Sequence, residues 1–401
     1  KAVKRVLLAL ILILTPNPAH ADSLPDHFIL TGSGFGHGVG LSQVGAQGQA
    51  MEGKSANQIL NYYFPGTQVL SVPDNTNIRV NIAHKVSSAL FVVDKAAAIP
   101  TTSWSVNSGD GGIAQVPFAS SLRFIAGAQG ISLAVIAPKA APQNLPASSL
   151  WTINFSGVLT VNTTQGIMNL RYGSIQLRLV GAKIEVTNTM NLHNEYLYGI
   201  SEIPSRYLQA ALQAQAIASR TYALSKVGTI RKECDCNIYS GIYDQNYIGY
   251  AKESEKTVGA YWKAAVDTTS VDGGTGLAIY YQGKPISVYF FASSAGTTQK
   301  SADVWGSSQP YLVSVPDPWS LDIFLNPYYS HWQRVLIQKD VAAAFNLPDV
   351  FSLKIVGRTS TNSAINVDAI SSTGKTSELA IGDFKVKLKI PSSWFEIANS
   401  N

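Results

Sequence analysis

Charge, sulfur and long apolar runs are all scarce in this sequence, and each shortage removes a class of function. Only 14% of the 401 residues are charged, and Lys and Arg do not gather into the basic footprint that a nucleic-acid partner requires. After the first fourteen residues no segment is long and apolar enough to cross a membrane. Two cysteines are present, Cys234 and Cys236, with Asp235 between them. Three states are open to them: a strained disulfide, a free pair, or two metal ligands awaiting others. Zinc wants four ligands and no nearby histidine completes the set, so neither a metal nor a cofactor is expected. There is no internal repeat.

What is present is globular. Hydrophobic residues make up 46% of the chain, and its length suits two or three domains. It opens on a basic head, Lys1 to Arg5, and an apolar run, Val6 to Leu14, followed by the small-x-small pattern Ala19-His20-Ala21. That order is a secretory signal peptide over residues 1–21, which predicts a protein secreted to the extracytoplasmic space. Loss of Lys1, Lys4 and Arg5 would lower the formal charge from +5 to near neutrality.

Taken in order, Phe28 to Leu30 reads as a strand leading into Gly32-Ser33-Gly34-Phe35-Gly36-His37-Gly38-Val39-Gly40. The run lacks the Gly-Lys-Ser/Thr ending of a Walker loop and is not set in a repeating βαβ unit, so it is not a phosphate loop. The glycines instead surround one imidazole, His37. Helical patterns follow from Ser42 and from Ser55 to Tyr63, closed by Pro65-Gly66. Residues 78–186 are β-rich, with strands at 78–82, 90–93, 151–155, 174–179 and 183–186 and a proline loop at 137–146. Leu277–Tyr281 and Ile286–Phe291 predict a hairpin that delivers Ser293 and Ser294 at a strand end. A further strand is predicted at Phe384–Leu388. The Tyr-rich segment from Cys234 to Tyr250 suits sugar faces and ordinary loop anchoring alike.

All of this is arranged around Asn194 to Leu224. Leu208, Leu212 and Ala216, four apart, predict a helix with one buried face, with Pro204 in its first turn. Glu202 would then stand just ahead of the helix. There it is either a cap favoured by the helix dipole or an acid held at a rigid, partly dry corner.

Several segments together resemble the stage II sporulation protein D family, also called the LytB amidase-enhancer family. They are Arg171-Tyr172-Gly173-Ser174, Tyr196 to Pro204, Ala214-Gln215-Ala216, Ser219 to Ala223, Tyr289 to Gly296, Val304-Trp305-Gly306 and Gly36 to Ala46. In the commoner family order the glycine–histidine segment comes last, after a strand resembling Ser392 to Ile397. Its position here implies a circular permutation, which requires Ile397 and Phe28 to lie side by side.

The resemblance implies an α+β fold: a β-rich body, a central amphipathic helix and adjacent terminal segments. Residues 22–72 would complete the core, 73–170 would form a β-rich subdomain or insertion, and 171–401 would be the main core domain. It also implies a lytic transglycosylase of peptidoglycan glycan strands with Glu202 as its catalytic acid, walled by Ile203 and Tyr196. His37, Gln43, Gln213, Gln215, Arg220, Tyr289, Ser293 and Ser294 are implied as substrate-binding groups. Gln213 stands where cleaving members carry lysine, and the family's cysteine–histidine cluster is reduced to Cys234 and Cys236. The alternative it implies is a non-catalytic wall-binding protein that enhances a partner N-acetylmuramoyl-L-alanine amidase.

Overall fold

The computed structural model describes residues 24–93, 103–109, 111–117 and 119–398; the expected signal peptide lies outside them. Helices are a minority: α1 (Gln43–Met51), α2 (Ala56–Tyr63), α3 (Gln209–Leu224), α4 (Tyr250–Glu253), α5 (Gly259–Thr268), α6 (Ser301–Trp305), α7 (Gln338–Phe345) and α8 (Ile381–Leu388). Strands dominate, as the α+β reading requires.

Two large sheets form the body. A seven-stranded sheet runs in the order Ile238–Tyr239, Asn77–Val86, Lys183–Asn191, Ser174–Val180, Leu150–Ser156, Ser103–Ser108, Ile113–Gln115. A six-stranded sheet comprises Gln143–Ser148, Gly130–Ile136, Ser121–Gly127, Ser88–Val93, Leu159–Thr163 and Gly166–Leu170. They meet where the Trp151 ring packs on Phe124 at 6.1 Å and the Trp151 indole N–H donates to the Ile131 carbonyl. Alternation explains the strands: Ile175 and Leu177 are buried while Ser174 and Gln176 are half-exposed. Because strands on both sides of residue 170 share the first sheet, residues 73–170 and the segment after them are built on common hydrogen bonds.

The buried apolar residues fall into two clusters. The larger joins both sheets, α1, α2, α3 and α5. The smaller gathers Phe28, Leu30, Trp332, Val341, Phe384 and Phe395 around strand His27–Gly32. That strand lies between Trp332–Ile337 and Phe395–Ala398, antiparallel to both, with Leu30 opposite Ile397. The two ends of the described chain are therefore adjacent, with Ile397 opposite Leu30 and so two residues along from the expected Phe28.

Three sequence expectations are corrected. Phe384–Leu388 belongs to α8, not a strand. Phe384 and Leu388, four apart, are buried, whereas Val386, which a strand would place on their face, is 79% exposed. The predicted hairpin stops after Lys284–Pro285; Phe290–Phe291 pairs in parallel with Leu41–Ser42 instead. The proline loop ends in an edge strand, Gln143–Ser148, whose register shifts around Pro146, the place where a sheet tolerates a missing donor.

Two helix starts, those of α1 and α2, are capped by serine side chains. Ser55 and Gln58 form a reciprocal capping box at α2. Ser55→Ala should cost about 1 kcal/mol, read as a shift in the urea midpoint; an unchanged midpoint would remove the cap from the account.

Candidate functional site

Glu202 sits at a corner held from both sides. The chain leaves strand Lys183–Asn191 through a π-helical turn, Leu192–Tyr196, a rare element frequent at functional sites. Tyr196 is fully buried, stacks on Tyr247 at 5.8 Å and donates its hydroxyl to Gln245 Oε1. Ser201 N–H donates to the Asn246 carbonyl, and Asn246 Nδ2 donates to the Ser201 carbonyl. The remaining donor, Asn246 N–H, reaches Glu202 Oε1 at 2.6 Å. Beneath the corner, the buried Lys252 ammonium donates to the Ile203 carbonyl.

The carboxyl of Glu202 is half-buried and its pKa is raised by that burial, with the Asn246 N–H partly offsetting the shift. Among the described residues no ion pair involves it. It is thus a carboxyl that keeps its proton to higher pH than usual, fixed by one backbone donor.

The helix-cap alternative fails. α3 begins only at Gln209, with Leu208 extended before it and 45% exposed. Pro204 is not in its first turn, and Glu202 lies well before the end of the helix dipole, whose effect fades within one turn. Leu208 N–H is taken by Gln47 Oε1 of α1 instead. Nor is α3 amphipathic: from Ala214 to Thr221 every residue is buried, Gln215 and Arg220 included.

The other expected site residues separate into groups. Gln43 Nε2 donates to Gln215 Oε1 at 3.2 Å, and Gln215 Nε2 donates to Ser219 Oγ; with Gln215 fully buried, this pair ties α1 to α3. Arg220 is not a surface group. It is fully buried, its Nε 2.8 Å from Asp74 Oδ2, while Asp74 Oδ1 meets His193 Nδ1. Ser294 is also structural: its hydroxyl donates to buried Asp317, which also accepts from Tyr63 and Ser320. Ser293 is fully buried and bonded through its backbone to Phe35. Gln213 is half-buried and donates to Thr268 Oγ1.

His37 and Tyr289 do come together. The imidazole sits among Trp305 at 5.2 Å, Phe291 at 5.7 Å and Tyr289 at 6.1 Å, and its Nδ1 accepts from Val39 N–H. Lys385 of α8 donates to the Gly36 carbonyl beside it. Burial first, then the Lys385 charge, lower the His37 pKa to about 4; burial alone lowers Lys385 to about 8. Because folded His37 binds its proton less readily than an unfolded histidine, its contribution to stability should be complete above about pH 6.5 and fall as pH drops towards about 4. Denaturation of the protein and of His37→Gln across that window should show a shallower pH slope in the variant; parallel slopes would contradict the half-buried neutral ring.

Gly40 makes this cage possible. Its φ is +82°, and a Cβ there would lie 2.2 Å from the Tyr289 carbonyl, the acceptor of Leu41 N–H. Gly40→Ala should therefore cost on the order of 2 kcal/mol or more, read by urea denaturation; a loss below about 0.5 kcal/mol would contradict the close approach.

Cys234 and Cys236 are disulfide-bonded and buried. They hold Asp235 outward, where its carboxylate meets Arg79 at 2.7 Å and Arg178 at 2.6 Å. The site partners that sequence reasoning missed are Asn246, Asp74, Trp305 and Lys385. Asn246 lies inside the Tyr-rich segment that suits sugar faces and Trp305 inside the Val304-Trp305-Gly306 segment of the resemblance, whereas Asp74 and Lys385 carry no local signal.

The corner, helix α3 and the bracing loop all fall within one recognisable stretch. Residues 180–272 match the stage II sporulation protein (SpoIID) family model. The chain is 29% identical over 133 residues to stage II sporulation protein D of Bacillus amyloliquefaciens, covering 31% of this chain and 38% of that protein. It is 29% identical over 134 residues to the same-named protein of Bacillus subtilis, covering 31% and 38%. It is 32% identical over 117 residues to the amidase enhancer of Bacillus subtilis, covering 29% of this chain and 14% of that protein. These alignments span well under half the length of each relative. No solved structure matches the chain significantly. The SpoIID match contains Glu202, Gln213, Gln215, Arg220 and Asn246, whereas His37, Gln43, Tyr289, Ser293 and Ser294 lie outside it.

Proposed function

We propose that the protein is exported to the cell wall and cleaves peptidoglycan glycan strands as a lytic transglycosylase, with Glu202 as its acid and then its base. The observation that supports this most is the state of that carboxyl, raised by burial and fixed by a single backbone N–H at a braced corner. One carboxyl meets the need. Hydrolysis requires a second group to activate or replace water, whereas attack by the sugar's own 6-hydroxyl needs only an acid that later collects the hydroxyl proton. Glu202 would protonate the glycosidic oxygen as the bond breaks, and the 6-hydroxyl would close on the anomeric carbon. Its proton would return to Glu202, leaving a 1,6-anhydromuramic end.

The test is a digest of purified glycan strands read by mass spectrometry. Anhydro ends are expected, and their absence under all conditions would end the enzyme reading.

Gln213 favours a second reading. It stands in place of the lysine implied by the family resemblance, and its amide is spent on Thr268. A protein that binds the wall and stimulates an amidase, as the name of one relative suggests, would pull down with the wall, raise amidase turnover and release nothing itself.

A further inference from the structure

Beside the Tyr-rich segment opens a cavity of about 710 Å³, lined by Asn81, His84, Arg231, Tyr239, Ser240 and Tyr243 among others. Its volume is in the range of small-ligand sites. The charges on its walls are already compensated. Arg231 gives both terminal nitrogens to Asp244, each at 2.7 Å, so no free guanidinium waits for a phosphate or carboxylate. Glu185 is fully buried; it accepts from Asn81 Nδ2 at 2.8 Å and from Lys85 N–H at 3.2 Å, and pairs with His84 Nδ1 at 2.9 Å. With Nδ1 committed to that carboxylate, Nε2 is the ring nitrogen of His84 left to bond a ligand.

The aromatic walls differ in how they are held. Tyr239 is fixed, edge-on to His84 at 5.1 Å and covered by Arg231 at 5.3 Å. Tyr243 meets Tyr239 edge-on at 6.4 Å but stands 82% exposed at the rim, with Ile242 at 96%, so most of its ring is open to solvent. A polar floor whose charged groups are already paired and an open aromatic face suit a ring that carries hydroxyls on its edge and C–H groups on its face.

We propose that this cavity binds an uncharged sugar ring, stacked on Tyr243 and hydrogen-bonded at the floor by His84. It is a subsite separate from the Glu202 corner, and it rests on the glycan reading above only for the identity of the polymer. The two places share one loop: Tyr243 lines the cavity, Asp244 clamps Arg231, and Asn246 donates to Glu202. Three residues reach roughly 10 Å at most, so one strand could occupy both.

The probe is the N-acetylglucosamine trimer, titrated calorimetrically into the purified protein, into Tyr243→Ala and into Tyr243→Phe. Tyr243 is exposed, so neither change threatens the fold. Tyr243→Ala should weaken binding about tenfold, and Tyr243→Phe, which keeps the ring face, by no more than about twofold. Equal affinity in Tyr243→Ala, or no binding of the trimer at all, would overturn the subsite. The strand digest separates the two readings. Tyr243-dependent binding without cleavage would sink the enzyme and keep the cavity; cleavage with Tyr243-independent binding would do the reverse.

Discussion

Glu202→Gln should reduce the release of anhydro-ended fragments from glycan strands by about 10²- to 10⁴-fold, the usual contribution of a positioned acid–base group. The amide can still accept from Asn246 N–H, so the corner should keep its shape, and binding of strands should survive. The stability change should run opposite to the activity change. Glu202 has a pKa raised above its unfolded value, so its contribution to stability is complete below about pH 4.3 and is lost as pH rises through the folded value. Above the unfolded value the raised pKa is a cost to the folded state, and the amide, which does not ionise, removes that cost. Glu202→Gln should therefore be inactive and at least as stable as the parent at neutral pH, by mass spectrometry of digests and by urea denaturation. A variant that still releases anhydro ends at more than about a tenth of the parent rate would remove Glu202 from the chemistry.

Asp74→Asn should be the most damaging substitution to stability among those considered. Asp74 is 1% exposed and its two oxygens face Arg220 and His193. Arg220, itself fully buried, also donates to the Thr269 hydroxyl and the Leu277 carbonyl, but these are neutral acceptors. Neutralising the carboxylate leaves a guanidinium uncompensated in the interior, which costs about 3 to 5 kcal/mol. Gly276 has no room to adapt, since a Cβ there would meet Asp74 Oδ2 at 2.4 Å. The urea midpoint should fall accordingly, and a loss under about 1 kcal/mol would mean that solvent reaches the pair. Because the ion pair joins α3 to the start of strand Asn77–Val86, this loss should precede any effect on substrate.

Local pattern reached far into this fold. The alternation of Ile175 and Leu177, the capped starts of α1 and α2 and the pairing of the strand near Ile397 with that near Phe28 were all legible, because each depends on a short period or on a resemblance. Phe384–Leu388 misled because two Lys residues between three apolar ones mimic a strand, while burial chose the four-residue spacing. Glu202 was visible as a candidate, but its neighbours were not: Asn246 lies far along the chain, and nothing local in Asp74 says that Arg220 and His193 will close on it. Arg220 and Ser294 misled for the same reason, since residue type cannot tell a polar group facing a ligand from one satisfied within the core.

Strand His27–Gly32 has a consequence for timing. Of its two neighbours, Trp332–Ile337 and Phe395–Ala398, the second is the last strand of the described chain to be made. Closing so long a loop is slow compared with forming local contacts. Until residue 398 has emerged, the His37 turn has only one flank of its clamp, and α8 cannot bring Lys385 to the Gly36 carbonyl. An emerging chain would carry the Glu202 corner, complete by residue 253, while the turn that holds His37 was still unfastened. The strand that leads into the His37 turn is thereby held on one side only until residues 395–398 are made, so a chain still in transit, or one truncated before Phe395, would keep the cage residues but lack one flank of the clamp.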